Sequence, residues 1–478
     1  MENTKHKVLF GIIWKFCERF SAQIVSFVVS IVIARILMPS DYGLVAMVNV
    51  FIAIANVLVV NGFTAALIQK RNSDEYDFST IFYCSLFISI ILYFVLFFFA
   101  PVISRFYETD ALTDVFRVFA LILPISSYNA VQNAYVSKNM QFKKNFFGTF
   151  LGTILSGVIG ISLALTGFGV WALVFQYLSN NIINGVVLFF LIEWKPRLYF
   201  SFARARPLLK FGVNILAADF IGTVFNQLNS FLIGKKYSLE QLAFYNRGQS
   251  FPYLINGNIG SVLSGVMFPA FSNETHDEIK LMSMVKRSVK LSTYILSPLF
   301  LGLAAVGYNM IKVLLTDKWL EAYPFLAIVS ISCLFSAPST IDLQILKAKG
   351  FSKIVFLLEF IKKPLWVIMT VCALFVGIKA LACVLVLVGF EEMIVNALAV
   401  RRVTNYPFRE QMRDFFSSLT PSVVMFLCVY PVQFLNLSCY VLFPLQAVLG
   451  MGIFIAFSVI TKNDCFIYLY GMMKKKAK

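Results

Sequence analysis

The feature that most constrains this chain is repetitive. Runs of twenty or more mostly apolar residues are separated by short breaks rich in Lys, Arg, Asp, Gly or Pro. They fall at about 9–36, 43–67, 79–104, 115–137, 146–166, 169–192, 209–234, 241–270, 291–315, 322–346, 354–377, 380–400, 415–436 and 439–461. A helix of about 20 residues crosses the roughly 30 Å hydrocarbon core of a bilayer. A barrel strand needs only about ten residues and alternates apolar with polar side chains, and these runs do neither. Because lipid leaves no open backbone group satisfied, the expectation is an all-α polytopic membrane protein of about fourteen spans. Composition agrees: 59% of the 478 residues are hydrophobic and 14% charged, with mean hydropathy +0.79. No water-soluble surface covers that much apolar area.

The net charge of +17 would suggest nucleic acid in a soluble chain, but here the position of each charge decides. With the amino terminus inside, and charges near a span end counted with the nearer side, 28 of the 41 Lys and Arg fall inside and 8 outside. The positive-inside rule then predicts that both termini are cytoplasmic, and a charge used for orientation calls for no nucleic-acid partner. Clusters such as Lys138, Lys143 and Lys144, or Lys474, Lys475, Lys476 and Lys478, are orientation signals first and lipid-headgroup contacts second. The opening Lys5-His6-Lys7 precedes an apolar run too long for a secretory signal and without a small-residue cleavage site. Cys17, Cys84, Cys333, Cys372, Cys383 and Cys428 lie well inside spans, and no C-x-x-C occurs. They read as small apolar residues.

Enzymatic signals are missing. The two histidines, His6 and His276, lie outside the spans, there is no G-x-S-x-G elbow, and Gly234-Lys235-Lys236 lacks the rest of a phosphate loop. No break is long enough for an extramembrane catalytic domain, the longest being near 271–290. The expectation is a non-enzyme without metal or cofactor, which leaves transport or scaffolding.

Polar side chains concentrate in four spans. In the first, Lys15, Arg19, Gln23, Ser26 and Ser30 share one helical face. A charge at the centre of a lipid-facing helix costs about 2.5–3.5 kcal/mol, so these cations are expected to face water or a partner; Glu18 is near enough to pair with Lys15. The second span carries Asn49 and Asn56 on one face. The seventh carries Asp219, Thr223, Asn226 and Ser230, with Gln227 beside them. The eighth carries Asn246, Arg247 and Asn256. Ordinary interhelical hydrogen bonds account for many of the amides but not for the charges. In the eleventh and twelfth spans, Glu359 and Lys363 stand at i,i+4 near Lys362, Glu391 and Glu392 and read as a structural ion-pair group. Asp342 is expected at the interface, and Gly148 and Gly152 at a close helix contact.

The halves repeat weakly. At an offset of 200, Ile33-Ala34-Arg35 aligns with Ile233-Gly234-Lys235, and at about 210 Ser137-Lys138 aligns with Ala348-Lys349. Six spans separate each pair, so the repeats are expected to be parallel. The division is 1–206 (spans one to six), 207–414 (seven to twelve) and 415–478 (two further spans and a basic tail).

The turn Ala34-Arg35-Ile36-Leu37-Met38-Pro39-Ser40-Asp41-Tyr42-Gly43-Leu44 resembles the A-R-x-L-x-P-x-x-Y-G-L turn of the polysaccharide translocases (Wzx-type flippases) in the multidrug/oligosaccharidyl-lipid/polysaccharide exporter superfamily. Phe244-Tyr245-Asn246-Arg247 and Leu346-Lys347-Ala348-Lys349-Gly350 add to the resemblance, which is strongest to the exporters of colanic or teichuronic acid units. It implies two six-helix lobes in a V with two extra C-terminal helices. It also implies alternating-access export of an undecaprenyl-pyrophosphate-linked oligosaccharide for exopolysaccharide, capsule or lipopolysaccharide O-antigen, with a polymerase and chain-length regulator as further partners. On that reading Lys15, Arg19 and Arg247 meet phosphate or acidic sugar, Gln23 lines the cavity, and Asn49, Asn56, Asn226, Gln227, Asn246 and Asn256 meet hydroxyls. Asp219 is the candidate for coupling to an H+ or Na+ gradient. The alternatives are a multidrug or small-cation exporter, whose cavity should be acidic and aromatic, and a scaffold for glycan assembly, which needs no charges in its spans.

Overall fold

The computed structural model describes residues 2–70 and 72–476, without the side chains of 2–13, 15–19, 473, 475 and 476. The expectations placed on the Lys15 and Arg19 side chains therefore lie outside the described residues. Every regular element among the described residues is helical. The chain divides into two compact units, Met1–Ala243 and Phe244–Lys478.

The first unit holds α1 (Glu2–Ile36), α2 (Pro39–Gln69), α3 (Glu75–Tyr107), α4 (Leu112–Phe119), α5 (Ile122–Lys138), α6 (Phe142–Leu165), α7 (Val170–Leu191) and α8 (Phe202–Lys236), and the start of α9 (Leu239–Asn273). Pro39 opens α2 at a position where its missing N–H costs nothing, and the Asp41 carboxylate accepts from the Met38 N–H at 3.1 Å. A Cβ on Gly43 would lie 2.1 Å from the Leu239 carbonyl oxygen, so this turn accepts only glycine where the sequence reads Tyr42-Gly43-Leu44. In α6, Gly148 and Gly152 meet Asn184 and Asn180 of α7, while Gly157 meets Val29 of α1. The small residues are there for helix packing, as their spacing suggests.

The second unit holds the rest of α9, then α10 (Glu278–Leu315), α11 (Tyr323–Cys333), α12 (Ser336–Ala348), α13 (Ser352–Val376), α14 (Ile378–Val403), α15 (Phe408–Val429), α16 (Cys439–Ile460) and α17 (Asp464–Lys476). Helix ends repeat the sequence offsets. α1 closes at Ile36 and α8 at Lys236, and α2 opens at Pro39 and α9 at Leu239, both 200 apart. α6 opens at Phe142 and α13 at Ser352, and glycines with positive φ break the chain after each, Gly167 at 84° and Gly377 at 151°. The contact boundary falls after α8 because α2 and α8 lie backbone to backbone where Gly62 meets Gly212.

Among the described residues, twelve helical stretches are long and apolar enough to cross a membrane, with α4 and α5 counted together as Leu112–Lys138 and the α11–α12 region as Asp317–Ala348. Two of the expected fourteen are not among them. α1 offers only the shorter Phe20–Ile36 among the described residues, and α13 carries Glu359, Lys362 and Lys363 in its middle.

Matching helix turns close one end of each unit. Asp74 caps α3 and Asp277 caps α10. Lys138 reaches back to the Leu67 and Lys70 carbonyls and the Ser73 hydroxyl, while Lys349 donates to Glu278 at 2.8 Å and to the Val403 carbonyl at 3.1 Å. In the first unit the buried Asp77 carboxylate sits between Lys70 at 2.6 Å and Arg204 at 3.2 Å, and Arg204 also bonds Asp74 at 2.7 Å. Burial raises the Asp74 pKa, but the Arg204 hydrogen bonds and charge, with the Asp77 N–H, outweigh it and hold the group below the usual carboxylate range. A carboxyl lowered in the folded chain stabilises it above the unfolded pKa and loses that contribution as pH falls through the folded pKa. Acid unfolding of purified protein followed between pH 5 and about pH 2 should therefore be shallower in Asp74→Asn than in the parent.

Candidate functional site

Among the described residues, α3, α8 and α9 are poorly covered by protein, and they differ in what they leave uncovered. Only 11% of the most apolar stretch of α3 is buried, 11% of α8 and 6% of α9, against 50% in α2 and in α10. On α3 the exposed side chains in the span are Phe87, Phe94, Phe98, Phe99 and Val102 among others of the same kind, a surface suited to lipid. On α8 Asn214 and Asn226 are exposed beside Val213 and Ile221, and on α9 Ser250, Gly257 and Ser261 are exposed beside Val262 and Val266. Amides turned to hydrocarbon would lose their hydrogen bonds at several kcal/mol each, so the α8 face needs water or a polar solute, whereas on α9 Ser250 and Ser261 donate to the Arg247 and Gly257 carbonyls of their own helix at 2.7 Å.

Within the first unit, α2 and α8 bring two polar sets together. The Asn61 side-chain amide donates to the Asp219 carboxylate at 3.0 Å, one residue from the Gly62 and Gly212 contact on α2. Asn56 is half-buried, and its Oδ1 is enclosed with no hydrogen-bond partner among the described residues. Asn49 is exposed, Gln227 half-buried on α8, and Gln23 half-buried on α1. Asn61 was not legible from the spacing that joins Asn49 to Asn56, because it lies five residues further on and off their face. Its only sequence signal is an amide alone in an apolar run.

In the second unit Arg247 is half-buried with its guanidinium carbon 5.6 Å from the Trp319 ring and 5.9 Å from that of Phe251. Asn246 beside it is half-buried, and Asn256 accepts from the Ser336 hydroxyl at 2.6 Å. The α13 charges form an ion pair, but the close partner of Glu359 is the buried Lys362 at 2.6 Å rather than Lys363 at 3.9 Å, since i+3 is the neighbour that turns inward. Both carboxylate oxygens of Glu391 on α14 are enclosed without hydrogen-bond partners among the described residues. Asp342, expected at the interface, is instead 2% exposed. The repeat explains the position. Its counterpart 210 residues earlier is Gln132, equally buried and donating to the Gly185 carbonyl at 3.1 Å, so both units reserve a polar interior place there.

The polysaccharide biosynthesis protein family matches residues 32–324. The chain is 24% identical over 343 residues to the succinoglycan biosynthesis transport protein ExoT of Rhizobium meliloti (strain 1021), covering 72% of this chain and 69% of that one. It is 23% identical over 308 residues to the teichuronic acid biosynthesis protein TuaB of Bacillus subtilis (strain 168), covering 63% of each. Among solved structures, the inward closed conformation of the lipid II flippase MurJ superposes with a TM-score of 0.77 at 16% identity, over 95% of this chain and 99% of that one. A family match across more than half of the chain makes this multi-pass membrane protein a member of the polysaccharide biosynthesis protein family.

Proposed function

We propose that the protein is a flippase that moves a polyprenyl-pyrophosphate-linked oligosaccharide across the bacterial cytoplasmic membrane by alternating access, for assembly of a surface polysaccharide. The observation that carries this reading is the contrast between α3, whose uncovered face is apolar, and α8, whose uncovered face holds the Asn214 and Asn226 amides. A pyrophosphate and its sugars cannot enter hydrocarbon unaided, so a translocase has to supply cations and hydrogen-bond partners along the way. Arg247, with Arg19 and Lys15, supplies the cations. Asn49, Asn56, Asn226, Gln227, Asn246 and Asn256, with Gln23, supply polar contacts. Asp219, held by Asn61, couples the step to an H+ or Na+ gradient. The chain crosses the membrane fourteen times with both termini cytoplasmic, and the repeats 1–206 and 207–414 act as the two lobes. Family membership and the MurJ-like fold support the substrate class, and a polymerase and chain-length regulator receive the product.

Deleting the gene from a strain without a redundant flippase should stop export of the surface polymer while the lipid-linked unit accumulates on the cytoplasmic face. Unchanged polymer in that strain would reject the reading.

A further inference from the structure

A recess of about 360 Å3 lies in the second unit between the first third of α10, the start of α15 and the start of α17. Four cations line it, Lys286, Arg287, Lys290 and Arg413, against three acids, Glu410, Asp414 and Asp464. The acids are engaged. Glu410 meets Lys286 at 2.8 Å and Arg413 at 3.6 Å. Asp414 meets Lys290 at 3.3 Å and accepts from the Tyr406 hydroxyl at 2.8 Å. Asp464 lies 3.9 Å from Lys290. What is left over is positive and sits at the mouth. Arg287 is exposed and lies over the Tyr468 ring at 4.7 Å, with no ion pair among the described residues, and the Arg413 guanidinium is exposed beyond its longer contact.

Depth and neighbourhood identify the surroundings. At 1.5 Å per residue α10 is roughly 57 Å long, against a hydrocarbon core of roughly 30 Å. From Leu291 to Leu315 its only charge is Lys312, so the stretch from Ser283 to Lys290 falls at headgroup level. The third wall, α17, follows the last long apolar helix and exposes Ile467, Tyr468, Tyr470 and Met472 before Lys474. Aromatic and aliphatic side chains with a terminal basic cluster mark a helix that lies in the membrane interface.

We propose that this recess holds the phosphate headgroup of an anionic phospholipid, with Arg287 and Arg413 as its ligands and α17 as the interfacial wall against which the lipid lies. Paired guanidinium forks match phosphate oxygens. A choline headgroup would bring its own cation to the surplus positive charge. None of the residues lining the recess is among those proposed to meet the glycan, so a folded protein in detergent answers the question whether or not it transports glycan.

The test is lipid retention by native mass spectrometry, with thermal unfolding of delipidated protein in the presence of phosphatidylglycerol, phosphatidylcholine or inorganic phosphate. Phosphatidylglycerol should be retained and should raise Tm, while phosphatidylcholine and inorganic phosphate should do neither. Each basic side chain near an anionic lipid is worth about fivefold, so Arg287→Gln with Arg413→Gln should weaken retention by about 25-fold. Asp464→Asn, which removes an acid from the rim and leaves both arginines, should tighten it, and this variant serves if the double one folds poorly. Equal retention of phosphatidylcholine, full stabilisation by inorganic phosphate, or unchanged retention in the folded variants would each overturn the proposal.

Discussion

Replacing Gly62 with Leu will drive α2 off α8 and remove most of the folded protein from the membrane. A Cβ at Gly62 would stand 2.7 Å from the Gly212 carbonyl oxygen and 2.9 Å from the Leu216 Cβ, and one at Gly212 would stand 2.5 Å from the Gly62 carbonyl oxygen. The obstacle is backbone on both sides, and no side chain can swing aside to relieve it. Overpacking by a methyl group or two costs about 1–3 kcal/mol, and a Leu between touching helices should cost more, a large share of the roughly 5–15 kcal/mol that holds a domain folded. The Asn61 to Asp219 hydrogen bond sits next to this contact and would go with it. Size-exclusion profiles of a fluorescent fusion will check this, with Gly222→Leu on α8 as the control, since a Cβ there meets nothing within 4 Å. A monodisperse Gly62→Leu protein at parental abundance would sink the argument.

Arg247→Ala should cut glycan translocation about ten- to a hundredfold without lowering protein abundance. A charge pair about 4 Å apart is worth about 4 kcal/mol at an effective dielectric near 20. Desolvation of both partners leaves about 1–3 kcal/mol of that, and each 1.4 kcal/mol is a factor of ten. Trp319 and Phe251 hold the guanidinium from two sides, which fixes its orientation. Arg247→Lys keeps the charge and loses the planar stack and fork, so it should retain part of the activity. If Arg247 served only to pack against Trp319, which is fully buried, both variants should lower abundance instead, and a stable Arg247→Ala protein that translocates at the parental rate would remove Arg247 from the path.

The helical class was legible from long apolar runs, and the repeat from turn residues that recur at offsets of 200 and about 210. Lys138 and Lys349 were alignable as residues before either was known to close a turn. Legibility ended where partners come from another helix. Spacing along α2 gives no hint that Asn61 meets Asp219, 158 residues away. A helical wheel of α13 favours Lys363 for Glu359, and only the inward rotation of Lys362 shows which pair forms. Asp342 looked interfacial because it stands six residues before the end of its helix, yet neighbouring helices of the same unit cover it. Burial is a property of what packs against a residue, and depth along its own helix does not reveal it.

The most direct test of the central claim is translocation by the purified protein in liposomes. Polyprenyl-pyrophosphate-linked oligosaccharide placed in the inner leaflet should become accessible to an impermeant glycan-modifying reagent outside, at a rate that rises with the number of protein copies per vesicle and falls about ten- to a hundredfold in Arg247→Ala. Accessibility no faster than in protein-free liposomes, with the protein shown to be folded and the native glycan supplied, would contradict the account.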